Sequence, residues 1–200
     1  MGRIWAIAAV IVLAALGGIV WYLNRSDCDV TLDKNASMNI GGPLSLVDET
    51  GRAVTDADMF KKPTLLYFGY TFCPDVCPLD NARNAEVLNI LQARGYDLQA
   101  ALITIDPERD TPEALAEFTD FLHPDMTGYT GTPEQIKAAS LAYKTYYARV
   151  PGDDDEFYLM DHTTFTYLIL PGIGFVEFFR RDESAENMAE RVACYLDAAQ

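Results

Sequence analysis

The most constraining stretch of this chain is a short apolar run that ends in two cysteines. Thr64-Leu65-Leu66-Tyr67-Phe68 has the length and composition of a buried strand. A turn follows, Gly69-Tyr70-Thr71-Phe72, and then Cys73-Pro74-Asp75-Val76-Cys77-Pro78. Pro78 suits the first turn of a helix, where its missing N–H has no partner to lose. Val87, Ile90 and Leu91 give that helix an apolar face, and Gly95 ends it. Two thiols therefore sit where a core strand turns into a helix, and loops of that kind carry function more often than packing. The helix N-terminus lowers thiol pKa values and so favours thiolates. The C-x3-C spacing could close a disulfide or aim both sulfurs at one metal ion, since both uses need thiolates. A buried structural pair is the plain alternative.

The flanking pattern supplies the fold. Leu44, Leu46 and Val54 lie in the arms of a hairpin that turns at Asp48-Glu49-Thr50-Gly51. Leu102-Ile103-Thr104-Ile105 is a second buried strand, broken by Asp106-Pro107. The next helix starts near Asp110-Thr111-Pro112-Glu113, where Asp110 and Glu113 have capping-box spacing, and Leu115, Phe118 and Leu122 form its inner face. Thr132 and Gln135 form a second capping box, followed by Ile136, Ala139, Tyr143 and Tyr147 at helical spacing. Residues 165–170 and 175–179 read as strands around the turn Pro171-Gly172-Ile173-Gly174, and Met188, Val192, Tyr195 and Leu196 mark a final helix. Strands alternating with helices imply a mostly parallel sheet, with the last pair as an antiparallel edge. This predicts an α/β, thioredoxin-like fold with an N-terminal β-hairpin, although the C-x3-C spacing departs from the ordinary C-x2-C motif.

Ahead of that domain, residues 4–23 contain no charge, and at about 1.5 Å per residue they would span a bilayer core. Trp5 and the Trp21-Tyr22 pair fall at the two ends, as interfacial aromatics do. We expect a single transmembrane anchor over residues 1–25, a polar tether over 26–38 and a globular domain over 39–200. A cleaved signal peptide is the alternative, although the apolar run exceeds the roughly 7–15 residues such peptides use. Beyond the anchor the chain carries 30 acidic residues against 13 basic ones. That excess argues against nucleic acid as a partner, because such binding rests on neutralising phosphates with Lys and Arg. It favours a basic partner or a cation.

His162, in Asp161-His162-Thr163 at the entry to a core strand, is either a capping or core histidine or an imidazole within reach of the sulfurs of Cys73 and Cys77. Two thiolates and one imidazole suit Cu(I), and with one more ligand Cu(II). Structural zinc wants four ligands. His123, at a helix end, reads as structural. Asp106 could orient a ligand or cap a helix, and with Arg109 it lies on the sheet edge where α/β proteins build sites. Cys28 and Cys194 either pair in an oxidising compartment or remain free, and the acidic loop 152–156 reads as a solvated turn.

Three blocks in order, residues 69–78, residues 106–112 and residues 161–163, resemble the signature blocks of the SCO/SenC family. The resemblance covers about residues 37–198. It implies a membrane-tethered, thioredoxin-like copper metallochaperone that binds copper through Cys73, Cys77 and His162. The implied task is assembly of the dinuclear copper centre of cytochrome c oxidase, with subunit II as acceptor and a separate protein as copper donor. The implied place is the bacterial inner membrane, with the C-terminal domain in the periplasm. Family members often carry Ser where Thr163 stands. The rival reading is an enzyme, a thiol–disulfide oxidoreductase in which Cys73 and Cys77 act as a redox pair on partner cysteines. A fainter similarity, of residues 71–74 with Cys77, points to peroxiredoxins, and a copper-responsive redox sensor is a further reading.

Overall fold

The computed structural model describes residues 14–18, 39–151 and 157–199. The chain divides into two units, residues 1–30 and residues 31–200. In the first, residues 14–18 are helical and exposed. The rest of the expected anchor and tether lies outside the described residues, and among those described no helix is long and apolar enough to cross a membrane.

The second unit is built on a seven-stranded sheet. The strands are β1 (Ser45–Asp48), β2 (Ala53–Thr55), β3 (Thr64–Gly69), β4 (Gln99–Thr104), β5 (Met126–Thr130), β8 (Thr166–Leu170) and β9 (Gly174–Phe179), ordered β2-β1-β5-β4-β3-β8-β9. β3, β4 and β5 run parallel, while β8 and β9 on one side and β1 and β2 on the other are antiparallel. A separate two-stranded sheet pairs β6 (Tyr147–Arg149) with β7 (Met160–His162). The helices are α1 (Asp56–Met59), α2 (Val76–Ala93), α3 (Pro112–Leu122), α4 (Pro133–Ala142) and α5 (Ala185–Ala198). This is the expected α/β order, with the hairpin at the N-terminal edge.

The central strands read as unbroken apolar runs because both faces of the sheet are covered. Every residue of β3 and β8 is buried. Along β8, Leu168 and Leu170 pack with Leu88 and Leu91 of α2 and Val192 of α5, whereas Tyr167 and Ile169 face the opposite cluster with Ile136 of α4. Burying side chains of this size contributes about 1.5–3 kcal/mol each.

Several expectations change. Met126–Thr130, with Gly at its centre and little alternation, is a parallel strand that the apolar pattern does not reveal. Tyr147 opens β6 and does not extend α4, because Lys144 adopts a positive φ of 55° and the chain turns away. The cap of α3 is Thr111, whose hydroxyl accepts the Ala114 N–H, so Asp110 is released for another role. The capping box at Thr132 and Gln135 forms as expected. His123 is buried at the end of α3, where Nδ1 accepts the Asp125 N–H, a structural role.

α3 sits directly on β5, and Gly128 allows that approach: a Cβ there would lie 2.6 Å from Leu115 Cβ. Gly128→Ala should therefore destabilise the domain by about 1–3 kcal/mol. The expected readout is a lower urea midpoint at unchanged slope, and an unaltered midpoint would refute this account of the contact.

Candidate metal centre

The site forms where β3 ends. Gly69 is paired in register with Thr104 of β4, and both mark the carboxyl end of the parallel strands. A side chain at position 69 has no room, since its Cβ would stand 2.7 Å from Tyr67 Cε1 and 3.1 Å from Cys77 Sγ. Beyond Gly69 the loop is pinned from below. The Thr71 N–H donates to the Asp110 carboxylate at 3.0 Å, and the hydroxyls of Thr71 and Thr104 each donate to it at 2.6 Å. Asp110 is fully buried, and that burial holds its carboxyl above the ordinary range despite these donors.

α2 begins at Val76, and its N-cap residue, Asp75, makes no side-chain cap bond. The sulfur of Cys73 supplies an acceptor there: the Cys77 N–H donates to Cys73 Sγ at 3.4 Å. Burial works to raise the Cys73 thiol, but the N–H groups of Cys77, Asp75 and Val76 and the Cys77 thiol outweigh it. The Cys73 pKa falls below its ordinary value of 9.0. Cys77 is the second residue of α2 with no exposed surface, and burial pushes its thiol up, as does the neighbouring charge of Cys73. The two sulfurs are thus set apart, Cys73 as the more acidic thiol and Cys77 as the less acidic one.

His162 arrives on the β6–β7 hairpin. Thr163 N–H donates to the Tyr146 carbonyl at 2.9 Å, and Met160 N–H donates to the Tyr70 hydroxyl at 3.1 Å, which fastens the hairpin over the cysteine loop. His162 Nδ1 lies 3.0 Å from the Thr163 carbonyl oxygen. A carbonyl can only accept, so Nδ1 carries the proton and Nε2 presents its lone pair. That nitrogen stands 3.3 Å from Cys77 Sγ. The ring is held edge-to-face between Tyr67 and Tyr70, each with its centroid 6.1 Å away. Burial lowers the His162 pKa, which favours the neutral, ligating imidazole.

The structure therefore brings Cys77 and His162 together and links Cys73 to Cys77 through a backbone N–H. Donors bound at about 2.3 Å for sulfur and 2.0 Å for nitrogen, at a tetrahedral angle, lie about 3.5 Å apart. The Cys77–His162 spacing suits a shared soft cation. Among the described residues, however, no three His, Cys, Asp or Glu side chains are already closed around one point. Cys73 and Cys77 are free thiols. Cys194 is disulfide-bonded, so it is not a third free sulfur, and Cys28 lies outside the described residues.

The Asp106 carboxylate braces the loop and does not cap α3, whose cap is Thr111. It accepts the Tyr158 hydroxyl at 2.7 Å and Arg109 Nε at 2.5 Å, and the Arg109 guanidinium stacks 3.6 Å from the Tyr158 ring centroid. Sequence reasoning missed this brace, together with Tyr67, Tyr70 and Asp80. The Tyr67 hydroxyl donates to the buried Asp80 at 2.9 Å. Asp80 follows Cys77 by three residues, a spacing that shares a helix face. Cys77, Asp80, Asn81 and Asn84 are all buried, so the early part of α2 turns a polar face inward toward the site. A tyrosine hydroxyl within a wholly buried strand is the signal that could have found it.

Known proteins resemble this chain over most of its length. Protein SenC of Rhodobacter capsulatus is 48% identical to this chain over 200 residues, covering 98% of this chain and 90% of that protein. A crystal structure of Arabidopsis thaliana ScoI with copper bound matches with a TM-score of 0.75 at 36% identity, over 79% of this chain and 98% of that one. Bradyrhizobium japonicum ScoI with copper bound matches with a TM-score of 0.69 at 37% identity, over 78% and 98%. The family model described as SCO1/SenC matches residues 32–197, and the chain belongs to the SCO1/SenC family.

Proposed function

We propose that this protein is a copper chaperone that takes copper as cargo on Cys73, Cys77 and His162 and passes it to the dinuclear copper centre of cytochrome c oxidase subunit II. One observation carries the reading: Nε2 of a neutral His162 faces Cys77 Sγ at 3.3 Å, across a spacing one soft cation would span. The ScoI proteins of Arabidopsis thaliana and Bradyrhizobium japonicum, both solved with copper bound, support it. Copper entry requires the Cys73 sulfur to exchange its backbone N–H for the cation, with loss of the Cys77 proton. Release is the reverse, and three donors leave a position through which an acceptor's ligand can enter. In this reading residues 1–25 anchor the protein in a bacterial inner membrane, residues 26–38 form the tether, and residues 39–200 work in the periplasm, loaded by a donor protein.

The asymmetry of the two thiols favours a second activity of the same pair. The Cys73 thiolate attacks a partner disulfide, forming a mixed disulfide and releasing one partner thiolate. Cys77 then gives its proton to His162 Nε2 and attacks Cys73 Sγ. A Cys73–Cys77 disulfide forms, the departing sulfur takes the proton from His162 and the thiolate released first takes one from water, so the partner leaves as a dithiol with two more electrons.

Three outcomes test these readings. Anaerobic Cu(I) titration of His162→Ala should show at least about a tenfold loss of affinity, since even groups that only orient a ligand cost 10–100-fold. Wild-type affinity in that variant would remove His162 from the ligand set. Cys73–Cys77 disulfide protein should bind copper far more weakly than reduced protein, because the same sulfurs serve both, and equal affinity would defeat the shared-sulfur claim. In metal-free protein, alkylation with iodoacetamide should reach Cys73 before Cys77. Its rate should climb with pH to a midpoint below 9.0, because the thiolate reacts and the helix N-terminus stabilises it. A midpoint at or above that value, or prior labelling of Cys77, would contradict the assigned asymmetry.

A further inference from the structure

Beside Cys73 lies a groove that neither copper binding nor thiol exchange uses. Thr71 and Phe72 of the cysteine loop form one wall, Ala114, Glu117, Phe118 and Phe121 of α3 form the other, and it encloses about 420 Å³. Ala114, Phe118 and Phe121 follow helical i, i+4, i+7 spacing, so the groove is one face of α3 laid against Phe72. Phe121 is 89% exposed and Phe72 is 55% exposed. Large apolar side chains held this open mark interaction surfaces. The Phe72 ring is also braced: the Arg109 guanidinium lies 4.9 Å from its centroid and is hydrogen-bonded to buried Asp106. A rigid exposed aromatic is the kind of anchor that carries binding energy at interfaces.

The edge of the groove has one sign of charge. Glu113, Glu117 and Asp120 are exposed along the adjoining stripe of α3, and residues 112–122 contain no Lys or Arg. The whole chain has a formal charge of −15. A second copy would bring like charge to like charge, and an anionic lipid surface would be repelled.

We propose that this groove docks a partner protein, which inserts a large apolar side chain between Phe72 and Phe121 and lays Lys or Arg along the stripe of Glu113, Glu117 and Asp120. The apolar anchors supply affinity, and the acidic stripe supplies orientation and encounter rate. The proposal rests on the chaperone reading for its purpose, since a segment seated there lies one residue from Cys73, but docking itself needs no copper.

The test is an amide-shift titration of the isotope-labelled, metal-free full chain with a peptide of about 12 residues alternating Phe or Leu with Lys, in about 20 mM and about 500 mM salt. Shifts are expected at Phe72, Ala114, Glu117 and Phe121, weaker at high salt and absent with the peptide carrying Glu in place of Lys. Phe121→Ser should weaken binding about tenfold, and Glu113→Lys with Glu117→Lys should remove the salt dependence. Leu141→Ser, an exposed residue outside the groove, should change nothing. Shifts mapping elsewhere, equal binding of the Glu peptide, or the same shifts produced by anionic vesicles or by raising the protein concentration alone would overturn the proposal. A Cu(I) titration of the same variants separates the two readings. Unchanged copper affinity is expected in each, and failure of the wild type to bind copper would remove the chaperone reading while leaving the peptide result standing.

Discussion

Asp110 has no exposed surface, and its carboxylate collects the N–H and hydroxyl of Thr71 and the hydroxyl of Thr104. Stripping a buried polar group of its partner costs about 1–3 kcal/mol, so the loop that carries Cys73, the end of β4 and the approach to α3 hold together as one body. Four residues earlier, Asp106 does the same for the other half of the site, through Tyr158 and Arg109. One short loop with two buried carboxylates therefore sets the position of the cysteine segment and of the hairpin that brings His162. The chemistry at the sulfurs depends on that loop although no atom of it approaches them as a ligand.

Burial is the common electrostatic cause within the site. It disfavours whichever form is charged, so His162 stays neutral, Cys77 stays protonated, and the Tyr67 hydroxyl keeps its proton and donates it to Asp80. Cys73 is the exception because it sits at the mouth of α2, where unpaired N–H groups point at its sulfur. Two chemically identical side chains, four residues apart, thus differ in acidity by position alone. The proton leaves Cys73 more readily than Cys77.

Much of this was legible in the residues. The hairpin, β3, β4, β8, β9 and the final helix follow from apolar runs and turn residues, because a covered sheet needs continuous apolar strands. The three site residues followed from a motif at a strand end and from family resemblance, and the structure draws Cys77 and His162 into contact. What escaped were elements whose stability is tertiary. β5 carries Thr, Gly and Tyr and becomes a strand because β4 and β1 flank it. The β6–β7 pair is only three residues on each side and is held by Tyr70 and Tyr146. Asp110 followed the capping pattern but lost that role to Thr111, since its burial against two threonines outweighs a solvent-side cap.

The histidine and the cysteines stand on different sheets. Cys73 and Cys77 follow β3 of the seven-stranded sheet, whereas His162 closes a two-stranded one. Lifting that small ribbon would break the contacts of Met160 with Tyr70 and of Tyr158 with Asp106 but no rung of the central ladder. The site is therefore divisible: the imidazole can be withdrawn with the ribbon while the two sulfurs keep their seat beside the central sheet, so the three side chains can be parted without unfolding the domain.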